Sequence, residues 1–299
     1  MKEVVSISLG TSKRNKSHEV EILGEMYKIS REGTDGSLEK FSQRFTELDG
    51  KVDALGVGGA DLYLVVEDKK YVFKEIAKLV AGAKTTPVVD GSGLKHTLER
   101  EAIYYLRDNK LLDFERERVL LVSGVDRFGM AQALSSVCAN VIFGDFLFGL
   151  GVPIKIRKYS SLVRLGKILL PIITRLPFKW FYPTGEKQEK RTPKFPKVFE
   201  QSSLIAGDWH LIRRFCPDDM TGKTILTQTL RTADFEWLKS IGVKRAITTT
   251  PSMGGESFAT NVMEGVLVAH LGKRPEFLTA EDYKRVLQKL DWKPNIVEF

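Results

Sequence analysis

At 299 residues the chain is long enough for two domains, each able to bury a core. With 42% apolar and 28% charged residues it has the composition of an ordinary globular protein, and no apolar run reaches the roughly 18 residues of a membrane-spanning helix. Two cysteines, Cys138 and Cys216, form no C-x-x-C, which argues against structural zinc and for a reducing compartment, so a cytoplasmic protein is expected.

The net charge of +8 is concentrated: Gly151–Glu200 holds twelve Lys or Arg against three Glu. Val4–Leu9 reads as a first strand, followed by a polar stretch, Lys13–His18. Val20–Leu23 and Tyr27–Ser30 read as a hairpin about Gly24. Leu38, Phe41, Phe45 and Leu48 recur at helical spacing, with Asp49-Gly50 as the stop. Val52–Gly56 is a strand, Leu62–Glu67 and Lys70–Phe73 a second hairpin, Glu75–Ala83 a helix, Pro87–Val89 a short strand and Leu94–Leu106 a helix. Residues 1–108 thus form a mixed α/β substrate domain.

From Arg118 the pattern becomes regular alternation. Strands are expected at Val119–Val122, Val141–Phe143, Leu204–Ala206, Thr224–Thr227 and Ala246–Thr249, with helices at Ala233–Ile241 and Ser257–His270 among those between them. That order predicts a doubly wound parallel sheet, a Rossmann-like nucleotide-binding domain over 109–299. A last helix, Glu281–Leu290, is capped by Thr279.

A basic helical insertion, 152–198, interrupts the alternation. Tyr159–Leu170 is amphipathic, Pro171 and Pro177 break or bend it, and Phe178, Trp180, Phe181 and Tyr182 follow. Three readings stand: a lid over a site, a subunit interface in a homo-oligomer, or contact of 159–182 with a fatty-acyl chain or membrane surface. Lys187–Lys197 reads as a mobile solvated loop. Nucleic acid is not expected as a partner, because the basic residues alternate with apolar ones.

The Ser123–Gly129 turn joins the apolar strand Val119–Val122 to a helix beginning at Met130. Strand, glycine turn and helix together point backbone N–H groups at an anion, usually a phosphate. The glycines stand at 124 and 129 only, and Ser123 and Asp126 occupy the other two positions of a G-x-G-x-x-G; Arg127 could offset the Asp126 charge. Asp145 ends the next strand where a dinucleotide unit places its ribose carboxylate. Ser123, Gly124, Asp126, Arg127, Gly129 and Asp145 are therefore the cofactor-binding candidates. Thr249 joins them from a cluster, Thr248, Thr249, Thr250, Ser252 and Gly254-Gly255, that could line a nicotinamide or simply cap the next helix.

In PVVDGSGLKHTL, Asp90 ends a strand before the sharp turn Gly91-Ser92-Gly93. A carboxylate displayed there could take a proton, with Lys95 one turn on; it could equally serve as a turn or N-cap residue. Ser92, His96, Tyr182 and His210 are the substrate-binding candidates, His210 from the cluster Asp208-Trp209-His210 with Arg213 and Arg214.

Residues 87–134 resemble the quinate/shikimate dehydrogenase family. Val89-Asp90-Gly91-Ser92-Gly93-Leu94, with Leu98, is similar to its T-D-G-x-G-F-x-x-x-L, and Val119-Leu120-Leu121 to its V-L-L before a glycine turn. The resemblance implies Asp90 as catalytic carboxylate in a cleft between domains. The family's N-V-T-x-P-x-K lysine motif is missing upstream of Asp90, Ser12, Ser17 and His18 only echo its substrate serines, and Val125-Asp126-Arg127 replaces A-G-G. The layout also resembles long-chain acyl-carrier-protein reductases, through Ala54-Leu55-Gly56-Val57-Gly58-Gly59 and Gly93-Leu94-Lys95-His96-Thr97. Their nucleophilic cysteine would fall on Cys216, though a merely structural thiol is the better reading.

The expectation is an NAD(P)-dependent oxidoreductase of quinate/shikimate type on a small hydroxy acid or related carbonyl, with NAD favoured by Asp145. The alternatives are a long-chain acyl reductase or lipid-binding protein, peripheral at a membrane, and a non-catalytic ligand sensor.

Overall fold

The computed structural model describes residues 1–177, 191–250, 252–253, 256–257 and 259–299. Tyr182 and its aromatic neighbours Phe178, Trp180 and Phe181 therefore lie outside the described residues, as do Gly254 and Gly255.

The first unit begins with β1 (Lys2–Ser8), β2 (Lys16–Ile22) and β3 (Glu25–Gly33), then α1 (Leu38–Leu48) and β4 (Ala54–Gly58). The expected hairpin is β2–β3, turning at Leu23 and Gly24 with φ of 53° and 77°, the doubly left-handed geometry of a tight two-residue turn. A second hairpin, β5 (Tyr63–Val66) and β6 (Lys69–Val72), precedes α2 (Lys74–Val80), β7 (Val88–Val89) and α3 (Ser92–Asp108). The sheet runs β2-β3-β1-β4-β7, parallel except for β2. On one face α1 and α2 bury Phe41, Phe45 and Ile76.

The second unit continues with β8 (Val119–Leu121), α4 (Phe128–Val137), β9 (Val141–Phe143), α5 (Tyr159–Ile173), α6 (Pro196–Glu200), β10 (Leu204–Ala206) and α7 (Trp209–Phe215). Then come β11 (Thr224–Thr227), α8 (Thr232–Ser240), β12 (Arg245–Thr248), β13 (Ser252–Met253), β14 (Glu256–Ser257), α9 (Thr260–Leu271), α10 (Ala280–Lys289) and β15 (Asn295–Glu298). Alternation along β8 sends Val119 and Leu121 to one core and Leu120 and Val122 to another, so both faces are covered.

The unit is α/β, as expected, but its parallel strands lie in the order β9-β8-β10-β11-β12, with antiparallel β15 at the edge. In chain order that is 2-1-3-4-5, not the 3-2-1-4-5-6 of a dinucleotide-binding sheet. Among the described residues no strand lies beyond β9, where the chain leaves into the insertion. Ile156 makes only a single bridge to Phe143.

The last helices return to the first unit. Residues 260–269 of α9 are all buried, and Val262, Met263 and Val266 pack with Val4 and Ala54; Tyr283, Val286 and Leu287 of α10 close the same core. The first sheet is thus covered by chain from both ends. Pro171 does not end α5, which runs two residues further. Its missing N–H takes one bond out of the ladder, and the turn still closes through Thr174 N on the Leu170 carbonyl at 3.0 Å. Of the basic loop, residues 191–197 are described: Arg191 is anchored by Asp218 and the Cys216 carbonyl, Thr192 N and Lys194 N bond the Arg214 and Phe215 carbonyls, and Pro196 and Lys197 begin α6, so this part is held rather than mobile.

Candidate functional site

The carboxyl ends of both sheets face each other across a cavity of about 470 Å³. Ligands of open α/β sheets bind outside the carboxyl ends of strands, where strand order reverses. In the second sheet that point lies between β8 and β10, and the turns after both, Ser123–Arg127 and Asp208–Trp209, line the cavity.

The polar wall is built on a buried ion network. Lys95 of α3 lies 2.5 Å from Asp61, in the loop after β4, and 3.0 Å from Asp126, in the turn after β8. Arg127 contacts Asp126 at 3.2 Å, Asp208 at 2.8 Å, and Glu99 of α3. Burial lowers the Arg127 pKa, but Glu99, Asp126 and Asp208 outweigh it and hold the pKa well above the ordinary value. Lys95 is likewise held charged against burial by Asp126 and Asp61. Burial lifts the Asp61 carboxyl and the Lys95 charge only partly offsets it; at Asp126 the Lys95 and Arg127 charges outweigh burial and hold the carboxyl low.

Asp208 is the N-cap of α7, accepting the His210 and Leu211 amides at 2.9 and 3.2 Å; its other oxygen takes Gln228 at 2.9 Å besides Arg127. His210 is thus on a helix, not in a loop. It stands at the cavity mouth, where desolvation in the cleft holds its pKa below the ordinary value.

Asp90 is not displayed. It is only 4% exposed and accepts three backbone amides: Leu62 at 2.7 Å, Tyr63 at 3.2 Å and Ser92 at 3.0 Å. These bonds tie the β7–α3 turn to the second hairpin, and Asp90 lines the cavity from there. The turn is held from behind by Glu264 of α9, which accepts Gly91 N at 2.7 Å, Gly93 N at 3.0 Å and the Tyr283 hydroxyl at 2.8 Å. Gly91 has φ +92°, and a Cβ there would lie 3.0 Å from Asn261 N, so the turn requires glycine. Ser92 is buried, its hydroxyl on the Tyr63 carbonyl, and His96 is half-buried with its pKa pushed down to about 4 by burial first; neither lines the cavity.

The glycine turn is occupied by the protein itself. Asp145 accepts Gly124 N at 3.0 Å and Val125 N at 2.8 Å, the two amides a pyrophosphate would need. A Cβ on Gly124 would lie 2.8 Å from Leu162 of α5, so the space above the turn is filled as well. Gly129 is small because α3 crosses it, with the Lys95 carbonyl 2.6 Å from where a Cβ would stand. Asp145 therefore does not reach out to a ribose, and the turn as built does not fit a dinucleotide. Thr249 is fully buried, its carbonyl on Trp292 Nε1 at 2.9 Å, and does not line the cavity. Cys216 is 1% exposed, and burial pushes its thiol up to about 11, which rules it out as an activated nucleophile.

The apolar wall is formed by α5 through Leu165, Leu169 and Ile173, and by the turn after β9 through Phe146 and Phe148. Composition and spacing marked α5 as amphipathic; they carried no signal that Phe146 and Phe148, or Trp209, would share a cavity with Asp61.

Residues 93–299 match the model of a family described as a domain of unknown function, DUF8754. The chain belongs to the DUF8754 family. Residues 3–90 match a second model, the domain of unknown function DUF8753, so the boundary between the matches falls in the Gly91–Ser92 turn. No curated protein matches the sequence. Among solved structures the DUF8754 chain is similar to a galactofuranose-binding protein, at 12% identity and TM-score 0.38, covering 100% of this chain and 95% of that one. A sugar ABC transport substrate-binding protein from Bordetella parapertussis gives 9% identity and TM-score 0.34, covering 99% and 89%. An NAD-dependent malic enzyme from Thermotoga maritima gives 11% and 0.37, covering 97% and 84%.

The matching family models are not those of quinate/shikimate dehydrogenases. With the strand order and the filled glycine turn, this overturns the dehydrogenase reading, and the acyl-reductase alternative loses its one candidate nucleophile, since Cys216 is buried with its thiol pKa raised.

Proposed function

We propose that the chain is a ligand-binding protein that holds one small organic molecule between its two α/β units. The cavity carries this reading: about 470 Å³, within the roughly 300–1,000 Å³ of small-molecule sites, with one wall apolar and the other polar. Such a pocket recognises a molecule with an apolar body and a polar end. Segment 159–173 acts as a fixed wall, since Leu162, Val163 and Leu170 are buried in the cores of both units.

The test is native mass spectrometry of the purified protein against a library of small metabolites, with thermal melting as a second readout. A one-to-one complex that also raises the melting temperature is expected, because a ligand at a hundred times its dissociation constant adds about 2.7 kcal/mol. Leu169→Trp, which fills the apolar end, should abolish binding while the protein still melts cooperatively. Binding of no library member, or undiminished binding to Leu169→Trp, would remove the proposal.

A further inference from the structure

The cavity wall is rich in charge, yet its charges are already engaged with one another. Six aspartates stand in the lining against five Lys or Arg, so the formal charges come close to cancelling. Each aspartate is met inside the protein. Asp61 has Lys95, and Asp126 has Lys95 and Arg127. Asp208 takes Arg127, Gln228 and two α7 amides, and Asp90 and Asp145 take backbone amides alone. Asp234 accepts Arg231 N and Arg231 Nε, each at 3.0 Å, and an Arg213 nitrogen at 2.9 Å. On the cationic side, Lys95, Arg127 and Arg231 are the partners just named, and the Arg214 guanidinium lies 5.2 Å from the Phe215 ring centre. An ionised group entering this wall would give up its water and could gain a counter-ion only by breaking a pair and stranding the other half. A neutral group meets neither cost.

Hydrogen-bonding capacity, by contrast, is left over. The Ser123 hydroxyl, in the turn after β8, has no hydrogen-bond partner among the described residues, and neither has either ring nitrogen of His210. Asn261 of α9 donates Nδ2 to Ser6 Oγ at 2.7 Å, and its amide oxygen has no partner among the described residues. All three residues line the cavity, and none of these atoms is sealed in the core. A hydroxyl both donates and accepts, a neutral imidazole does so through its two nitrogens, and the amide oxygen accepts. His210 is in the neutral form at pH 7, since desolvation holds its pKa below the ordinary value. Such a set matches a group that itself donates and accepts.

We propose that the ligand of the cleft is uncharged, with an apolar body against α5 and a polar end, a hydroxyl or an amide, whose hydrogen-bond partners are drawn from Ser123, His210 and Asn261. This rests on the cleft being a ligand site and assigns the class of ligand. The paired charges then act as a fixed, neutral wall that rejects ions of either sign, and the uncharged groups do the recognition.

Four probes of one body test it: 4-phenylbutanol, 4-phenylbutyramide, 4-phenylbutyrate and 4-phenylbutylamine, titrated calorimetrically into the intact protein at pH 7. At least one neutral probe should bind ten times more tightly than either ion or better, and which one does identifies the head. Asp126→Asn removes one negative charge from the balanced wall, so it should tighten 4-phenylbutyrate about tenfold and leave the neutral probes within a factor of about three. Melting temperatures show whether the variant folds; if it does not, the wild-type ratios decide alone. Either ion binding as tightly as the neutral probes, or a folded Asp126→Asn that leaves 4-phenylbutyrate unchanged, would overturn the assignment. Failure of all four probes overturns it too: the cleft reading then survives if a library member binds, and falls with it if none does.

Discussion

Arg127→Met is the sharpest test of the ion network, because the network leaves Glu99 almost no alternative. Glu99 is fully buried, one oxygen is held by Arg127, and the other has no partner among the described residues. Asp126 would keep Lys95, and Asp208 would keep Gln228 and the α7 amides. The loss therefore falls mainly on Glu99, whose pKa burial already raises above the ordinary 4.5. Stranded, Glu99 takes up a proton. At pH 7 a protonated Glu99 costs the fold at most about 3 kcal/mol, from two and a half pH units at about 1.4 kcal/mol each, and the loss against wild type is that figure less the penalty its raised pKa already carries. At pH 5.5 the same step costs only about 1.4 kcal/mol. Urea unfolding followed by circular dichroism, with wild type and variant at both pH values, measures the difference. Adding Glu99→Leu to Arg127→Met should recover most of the loss at pH 7. A loss below about 1 kcal/mol at pH 7, or one that does not shrink at pH 5.5, would refute the argument that Glu99 depends on Arg127 for its charge.

Glu264 supplies a pH dependence of the wild type. Burial, with Asp90 next, raises its pKa from 4.5 to about 7, so between those values the folded protein keeps a proton that the unfolded chain loses. Its penalty is absent below about 4.5, grows to about 3 kcal/mol by pH 7 and stays constant above; Glu264→Gln should flatten stability over that window, and an unchanged slope in denaturant titrations would disprove it. The thiols give a cleaner outcome. Burial raises the pKa of both Cys138 and Cys216, the latter to about 11, so an aromatic disulfide reagent at pH 8 should label neither in the native protein and both in urea. NAD, NADH, NADP and NADPH should leave the melting temperature unchanged, since Asp145 and Leu162 fill the turn; a clear rise with any one would mean that the Asp145 carboxylate swings aside.

Most elements were legible in the sequence because their patterns are local. The Phe41 and Phe45 spacing marks α1, and the apolar runs at 119–122, 141–143, 204–206 and 224–227 mark β8 to β11. Strand order was not legible, since nothing local shows that the chain leaves β9 for an insertion rather than adding a strand beyond it. Helix α7 was missed although its signal was present: Asp208 before WHLIRRF is a cap followed by helical spacing, read instead as a cluster of functional residues. The charged residues were found, but not their partners. Asp90, Lys95, Asp126, Arg127 and Asp145 stand out by type, whereas Asp61 and Glu99, which decide what two of them do, look like ordinary surface carboxylates until tertiary packing encloses them.

The same residues explain why the glycine turn reads as a phosphate loop yet serves as a packing joint. A βα turn presents free amides whatever its purpose, and those amides need an acceptor when the turn is enclosed. A dinucleotide-binding turn leaves that acceptor to its ligand. Here Asp145 supplies it from the end of the neighbouring strand, and Leu162 covers what remains. Asp126, which would repel a pyrophosphate, is then free to face the other way and join Lys95 and Arg127 in the wall of the cleft. The departure from the fingerprint and the buried network are one feature. Once the amides are satisfied internally by Asp145, the negative charge of Asp126 beside the turn is met by Lys95 and Arg127 rather than by a ligand.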